Sequence, residues 1–209
     1  MKQTLITGFG PFGEVVNNPT ESLLNEFFAR TVHNQEITTS LFSTQYAGTS
    51  DRLKAVLEVG GRGGAAFDNI LLLGVAPAAA KWQVERYGHN IIAGRNDAAG
   101  FKPQGSEIME GQFSRLYAMA EIDDVVARLE EKGLPVAASE SAGAYLCNYL
   151  YYHALHLALA NPHIKRCLFL HIPADPYTMA VGVKPVTTFP VESQIVAVEA
   201  VLEAFEDTV

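Results

Sequence analysis

Two long apolar runs most constrain what this chain can fold into. The first, from Asn69 to Val75, reads NILLLGV, and the second, from Lys165 to Ile172, reads KRCLFLHI. A strand that is apolar without alternation is typical of a sheet covered by helices on both of its faces. The sequence therefore predicts that these two runs form buried strands of a largely parallel sheet.

Helical and strand patterns alternate along the rest of the chain. Helical periodicity and end signals mark residues 18–28, 49–60, 122–133 and 192–205, together with a run that begins about one turn before Cys147 and ends at about 160. Shorter strands are predicted at 4–7, 36–42 and 135–138. This alternation predicts an α/β fold, a three-layer α/β/α sandwich with a largely parallel, mixed central sheet. The chain of 209 residues shows no repeat or linker, so we expect a single domain over 1–209. Residues 76–118 are predicted to be irregular, which in a compact domain is typical of functional or mobile segments.

Composition excludes several classes of function. A net charge of -8 with no block of Lys and Arg argues against a nucleic-acid partner. No stretch approaches the ~20 apolar residues of a membrane span, and the first ten residues do not resemble a signal peptide. Two cysteines cannot build a disulfide framework, so we expect two free thiols in a cytoplasmic protein.

The segment SESAGAYLCNYLYYHALH, from Ser139 to His156, places a cysteine near the start of an apolar helix. A thiol at that place experiences the positive end of the helix dipole, which favours the nucleophilic thiolate. Cys147 is therefore a candidate nucleophile. The alternative is that Cys147 is a small buried residue of a core helix.

Two further residues have the chemistry to complete a site with Cys147. His171 ends the second apolar run, and Glu85 follows the first by a short connection. Because functional groups gather at the carboxyl ends of strands in α/β sheets, we expect the three residues to meet at one edge. A thiol, an imidazole and a carboxylate form a set of nucleophile, base and orienting group. The alternative is a structural histidine at the end of a strand.

Other motifs are assigned structural roles. GFGPFG, from Gly8 to Gly13, matches the glycine pattern of dinucleotide-binding loops, but its proline and phenylalanines are unsuited to holding a pyrophosphate. His153 and His156 have helical spacing but no carboxylate on their face, so we expect no metal site. Cys167 lies in the middle of an apolar strand and is predicted to be an unreactive core thiol.

With these residues in view, the chain resembles the pyroglutamyl peptidase I family, the pyrrolidone-carboxylate peptidases. The shared motifs occur in order along nearly the whole chain. They are LITGFGPFG with the following Asn18 and Pro19, GVA at 74–76, ER-x-x-x-N at 85–90, SAGAYLCNYLYYHALH and finally FLHIP at 169–173. One such motif is weak, whereas four or more in the right order are specific.

The resemblance implies a role for each matching position. It makes Cys147 the nucleophile, His171 the base and Glu85 the third member of the catalytic set. Arg95 matches an arginine suited to stabilising the oxyanion. The residues expected to bind the pyroglutamyl ring are Phe9, Phe12, the segment around Asn18 and the backbone at Val75, where many bacterial members have glutamine.

The activity implied is that of a cysteine peptidase that removes N-terminal pyroglutamyl residues from peptides through a thioester, with no metal or organic cofactor. The resemblance also implies a homotetramer. Two other functions stay open at this point. One is a nucleoside phosphorylase-like or general amidohydrolase activity on the same fold, which a phosphate requirement would support. The other is an inactive relative that binds peptides without turnover.

Overall fold

A seven-stranded sheet and a two-stranded ribbon organise the computed structural model, which describes residues 1–11, 15, 17–93, 95–178, 185 and 187–207. The strands are β1 (Lys2–Phe9), β2 (Thr31–Val32), β3 (Gln35–Phe42), β4 (Asn69–Val75), β5 (Trp82–Glu85), β6 (Tyr87–His89), β7 (Arg115–Tyr117), β8 (Val136–Ser139) and β9 (Arg166–Ile172). The helices are α1 (Pro19–Phe27), α2 (Thr49–Val59), α3 (Ile122–Glu131), α4 (Leu146–Ala160) and α5 (Val191–Asp207). Among these described residues, no helix combines the length and the apolar character needed to cross a bilayer.

The order of strands in the large sheet is β2-β3-β1-β4-β9-β5-β8. Strands β3, β1, β4 and β9 are parallel, whereas β5 runs antiparallel to β9 and β8 runs parallel to β5. The two apolar runs pair directly at the middle of the sheet, in a register that joins Asn69 to Arg166 and Val75 to Ile172. The prediction of a largely parallel, mixed sheet is confirmed.

Helices cover both faces of this sheet and create two apolar cores. Side chains alternate along β4, so Leu71 and Leu73 face the core with α1, α3 and α5, while Ile70 and Leu72 face the core with α2 and α4. All four side chains are fully buried. Burial on both sides explains why β4 and β9 carry continuous apolar runs rather than alternating ones.

The prediction that residues 76–118 are irregular is wrong in part, because three strands lie within them. Strand β5 is held between β9 and β8, and its Trp82 and Val84 are fully buried. Strands β6 and β7 pair with each other as the separate ribbon. These strands have only three or four residues, which is too short for hydrophobic periodicity to reveal them.

Candidate active site

Helix α4 presents Cys147 at its amino end. The helix starts at Leu146, so Cys147 is its second residue and lies nearer the start than the sequence predicts. Cys147 is a free thiol and is partly exposed. The first hydrogen bond of the helix joins the Tyr149 N–H to the Tyr145 carbonyl at 2.9 Å. Because helical bonding begins only there, the N–H groups of the first turn, including that of Cys147, have no helical acceptor and can meet an anion.

His171 and Glu85 form a buried hydrogen-bonded pair beside this helix. The Nδ1–H of His171 donates to Oε1 of Glu85 over 2.7 Å. Glu85 is fully buried and His171 is 7% exposed. A carboxylate on Nδ1 fixes the orientation of the imidazole and leaves Nε2 for the thiol.

Glu85 reaches His171 by a route that differs from the predicted one. The sequence places Glu85 on a connection after β4, at the carboxyl edge of a parallel sheet. Instead, Glu85 is the last residue of β5, which runs antiparallel to β9 and pairs Glu85 with Phe169, two residues before His171. Since alternate residues of a strand share a face, this register puts Glu85 and His171 on the α4 side of the sheet.

The pair with Glu85 and the nearby thiol control the charge of His171. Burial disfavours the imidazolium, but the charge and hydrogen bond of Cys147, followed by those of Glu85, more than offset it. Together they raise the pKa of His171 from 6.5 to about 10. The direction of this shift favours the imidazolium form of His171, which suits it to pair with a thiolate.

Gly74 allows the strand to pass closely under the thiol. A Cβ on Gly74 would lie 3.0 Å from Cys147 Sγ and 2.7 Å from Cζ of Phe169. The Phe169 ring is fully buried and packs against the imidazole of His171, with 4.7 Å between ring centres. Only glycine leaves room here for both the thiol and the ring that supports the imidazole.

We expect Gly74→Ala to lower kcat/KM at least tenfold and to destabilise the fold by about 1–3 kcal/mol, as overpacked cores do. The added methyl group must displace Phe169 or Cys147, and either movement disturbs the contact between thiol and imidazole. Steady-state kinetics and thermal melting measure the two effects. Gly10→Ala is the control for melting, since its Cβ would lie 3.9 Å from the nearest atom. Unchanged kinetics in Gly74→Ala would contradict this account.

Arg95 lies on a loop laid against the start of α4. Its guanidinium carbon sits 5.0 Å from the centre of the Tyr145 ring, and its side chain is exposed. Burial raises the pKa of the Tyr145 hydroxyl; Asp97 and Cys147 raise it further, and Arg95 opposes them. Arg95 and Cys147 therefore both act on the same phenol, at the start of the helix.

The positions expected to bind the ring fall into different environments. Phe9 is 2% exposed and belongs to the same apolar cluster as Leu146, whereas Phe12 lies outside the described residues. Asn18 caps α1 through Oδ1 and donates from Nδ2 to the Gly10 carbonyl at 3.0 Å. The Val75 side chain belongs to the opposite core, so only its backbone is available on the α4 side.

Three residues of this region were missed by sequence reasoning: Gly74, Asp97 and Asn148. Two of them carried a signal: Gly74 is a glycine within an apolar strand, and Asn148 is an amide in an apolar stretch of helix. Asp97 is buried and its carboxylate accepts the N–H groups of Tyr46, Ala99 and Phe101 at 2.9 Å. A loop residue with that role looks like any other polar turn residue in the sequence.

The remaining cysteine and histidine candidates lie elsewhere. Cys167 is fully buried, and burial raises the pKa of its thiol, as a core residue requires. Burial and the neighbouring His156 lower the pKa of His153 to about 4. Within the described ranges, no group of three His, Cys, Asp or Glu side chains has metal-binding geometry.

The fold and this site together define a class of protein: an α/β/α hydrolase with a thiol, imidazole and carboxylate set at the amino end of a helix. The profile of the pyroglutamyl peptidase family matches residues 2–208. The pyrrolidone-carboxylate peptidase of Thermococcus litoralis is 31% identical over 84% of this chain and 78% of its own, and that of Oceanobacillus iheyensis is 31% identical over 84% and 85%.

Solved structures agree with these matches. Pyrrolidone carboxyl peptidase from Thermococcus litoralis superposes with a TM-score of 0.88 at 29% identity, covering 99% of this chain and 94% of that one. A mutant (E192V) of the Pyrococcus furiosus enzyme gives a TM-score of 0.89 at 27% identity, covering 99% and 100%. The chain belongs to the pyroglutamyl peptidase family. It is a cysteine peptidase that removes N-terminal pyroglutamyl residues, and the phosphorylase-like and non-enzymatic alternatives are not favoured.

Proposed function

We propose that Cys147, His171 and Glu85 carry out this hydrolysis. The observation that carries the assignment is the 2.7 Å bond between His171 and Glu85, on the imidazole whose pKa the neighbouring Cys147 raises. The Cys147 thiolate attacks the carbonyl carbon of the bond between pyroglutamate and the next residue. The imidazolium of His171 then donates its Nε2 proton to the leaving amine as the C–N bond breaks, and a thioester stays on Cys147.

Water completes the cycle. The imidazole, now neutral, takes a proton from a water molecule as its oxygen attacks the thioester carbonyl. The C–S bond breaks, the thiolate returns and pyroglutamate leaves as the free acid. Through its bond to Nδ1, Glu85 holds the neutral imidazole of His171 in one tautomer, and it stabilises the imidazolium each time that cation forms.

We assign the tetrahedral oxyanion to the amino end of α4 and to Arg95. The unused N–H groups of the first turn, including that of Cys147, are fixed donors beside the attacking sulfur. The Arg95 guanidinium over Tyr145 adds a positive charge at the same end of the helix. Preorganised donors of this kind stabilise charge that develops only in the transition state.

Recognition of the pyroglutamyl ring rests on shape and on backbone hydrogen bonds in this proposal. The ring is a neutral lactam with no free α-amino group, which suits flat apolar walls with a few polar contacts. By the family resemblance, Phe9 and Phe12 are assigned to the walls, and the segment around Asn18 and the Val75 backbone are assigned to the contacts. The pairing between β1 and β4 ends at Thr7 and Leu72, so the β4 backbone at Val75 is not paired with β1.

Release of a fluorescent amine from a pyroglutamyl-amide under reducing conditions tests the activity. The matched prolyl-amide lacks the lactam carbonyl and carries a charged amine, so we expect turnover of the first substrate only. Equal rates on both would point to a general amidohydrolase. Binding of the pyroglutamyl-amide without turnover, by folded protein, would point to an inactive relative.

The pH profile should reflect the raised pKa of His171. Because the imidazolium is the proton donor to the leaving amine, kcat/KM should stay high through neutral pH. It should fall as the pH rises through about 10, the pKa of His171, rather than near 6.5. Initial rates from pH 6 to 11, with a return to pH 7 to check reversibility, measure this limb. An alkaline limb near pH 6.5 would contradict the charged pair.

We further propose that the protein is a single peptidase domain that acts as a homotetramer in the cytoplasm. The family match over residues 2–208 supports one domain, and the two free thiols suit a reducing compartment. Light scattering tests the assembly, for which we expect four times the chain mass of 22.7 kDa. A mass of one or two chains at micromolar concentration would exclude the tetramer.

A further inference from the structure

Asn148, the residue after Cys147, is fully buried, and its side-chain amide forms hydrogen bonds to one neighbouring segment, residues 89–91. Its Oδ1 accepts the His89 N–H at 2.8 Å, and its Nδ2 donates to the carbonyls of His89 at 2.8 Å and Ile91 at 3.0 Å. None of these bonds goes to α4 itself or to the large sheet. What Asn148 fixes is therefore the distance between the nucleophile's helix turn and residues 89–91.

The same segment leads directly into the loop that carries Arg95. The Ala93 N–H donates to the Ala144 carbonyl at 2.7 Å, and the Tyr145 hydroxyl donates to the Asn96 carbonyl at 3.0 Å. Thus residues 89–93 and 95–96 are attached to residues 144–148 on both sides of Arg95. Asn148 holds its amino-terminal end through His89 and Ile91, which lie six and four residues before Arg95.

The opposite side of the segment is held in a different way. Asn90 bonds to another loop, where its Oδ1 accepts the N–H groups of Ile108 and Met109 at 2.9 and 2.8 Å. Asn90 therefore anchors the segment to the loop at 106–112, and Asn148 anchors it to the helix of the nucleophile. Only the second anchor relates the segment to the reacting thiol.

We infer that Asn148 is a positioning residue that acts through Arg95, by holding the arginine loop at a set distance from Cys147. This inference rests on the proposed role of Arg95 in stabilising the oxyanion. Without the three hydrogen bonds, residues 89–91 lose this attachment to the helix of the nucleophile. The position of Arg95 relative to the helix start then rests on the bonds at Ala93 and Asn96, which leave the guanidinium less tightly placed. A displacement of about 1 Å at a charge-stabilising group can cost about 10²-fold in rate.

A double-mutant cycle on the pyroglutamyl-amide substrate tests this inference. We expect Arg95→Ala to lower kcat by about 10²-fold or more, as the loss of an oxyanion donor does. We expect Asn148→Ala to lower kcat by about 10-fold to 10²-fold, with a smaller change in KM. The double variant should be no slower than Arg95→Ala alone, within about twofold, because both changes remove the same interaction.

Two controls separate positioning from a loss of stability. Leu202→Ala removes a fully buried side chain from α5, on the other side of the sheet, and should lower the melting temperature while kcat per folded molecule stays unchanged. If Asn148→Ala does not fold, Asn148→Asp replaces it. The aspartate keeps the acceptor for the His89 N–H but sets an oxygen against the two carbonyls, and the same non-additivity is expected.

Three outcomes would overturn the inference while leaving the proposed function intact. Multiplicative losses in the double variant would mean that Asn148 acts independently of Arg95. An unchanged kcat in folded Asn148→Ala would mean that it positions nothing needed for the reaction. An unchanged kcat in Arg95→Ala would mean that Arg95 does not contribute to the reaction, so Asn148 could not act through it. Failure of the proposed function is recognised separately, by absence of turnover in the wild type.

Discussion

Cys147→Ala is expected to abolish hydrolysis of pyroglutamyl-amides while the protein stays folded. The side chain is partly exposed at the second position of α4, so its truncation leaves little cavity and keeps the helix start. Without sulfur there is no thioester, and loss of a nucleophile in a comparable catalytic set costs about 10⁶-fold in kcat. Steady-state kinetics and circular dichroism of the variant measure activity and fold together.

Cys167 provides the matched control for that experiment. Cys167→Ala removes the second thiol of the chain, which is fully buried in β9, and should leave kcat unchanged. Iodoacetamide should inactivate the wild type and Cys167→Ala with the same kinetics, in step with modification of one thiol. Near-normal turnover in Cys147→Ala, or activity insensitive to alkylation, would rule out the thiolate mechanism.

Glu85→Gln is expected to lower kcat by about 10⁴-fold, less than the loss of Cys147, because an orienting carboxylate contributes less than the nucleophile. The substitution keeps the shape of a fully buried side chain but removes the charge that faces His171 Nδ1. The imidazolium loses a stabilising partner, so the pKa of His171 should fall. The alkaline limb of kcat/KM should therefore move to lower pH than in the wild type.

The shift of this limb separates a catalytic role of Glu85 from a structural one. Among the described residues, Glu85 Oε2 is buried without a hydrogen-bond partner, so the substitution breaks no hydrogen bond at that oxygen. We accordingly expect folded protein, verified by thermal melting. An inactive and unfolded variant would assign Glu85 a structural role, and a folded variant with wild-type kinetics would exclude it from the mechanism.

Much of the fold could be predicted because its signals are local. The runs at Asn69–Val75 and Arg166–Ile172 are apolar on both sides, and such a pattern predicts a central strand. Amphipathic periodicity located α1, α2 and α3, and a long apolar run located α4, for the same reason. Strands β5, β6 and β7 were not predicted, because a strand of three or four residues has too few positions to show a clear hydrophobic period.

The candidate site was predictable in its residue types but not in its construction. Cys147, His171 and Glu85 are visible as a cysteine at a helix start, a histidine at a strand end and a nearby carboxylate. The direction of β5 is not visible in the sequence. The antiparallel register of β5 with β9 brings Glu85 to His171, 86 positions away along the chain. No local pattern determines which way a short strand will run.

The sequence by itself determined the alternation of helices and strands, the burial of the central strands and the place of Cys147 near a helix start. These follow from hydrophobic periodicity and end signals, which act over a few residues. Only the tertiary structure decided the close approach of Gly74, the attachment of the Arg95 loop by Asn148 and the pairing of Glu85 with His171. Those depend on strand order, register and packing, which are set by contacts between segments far apart in the chain and leave no period in the sequence.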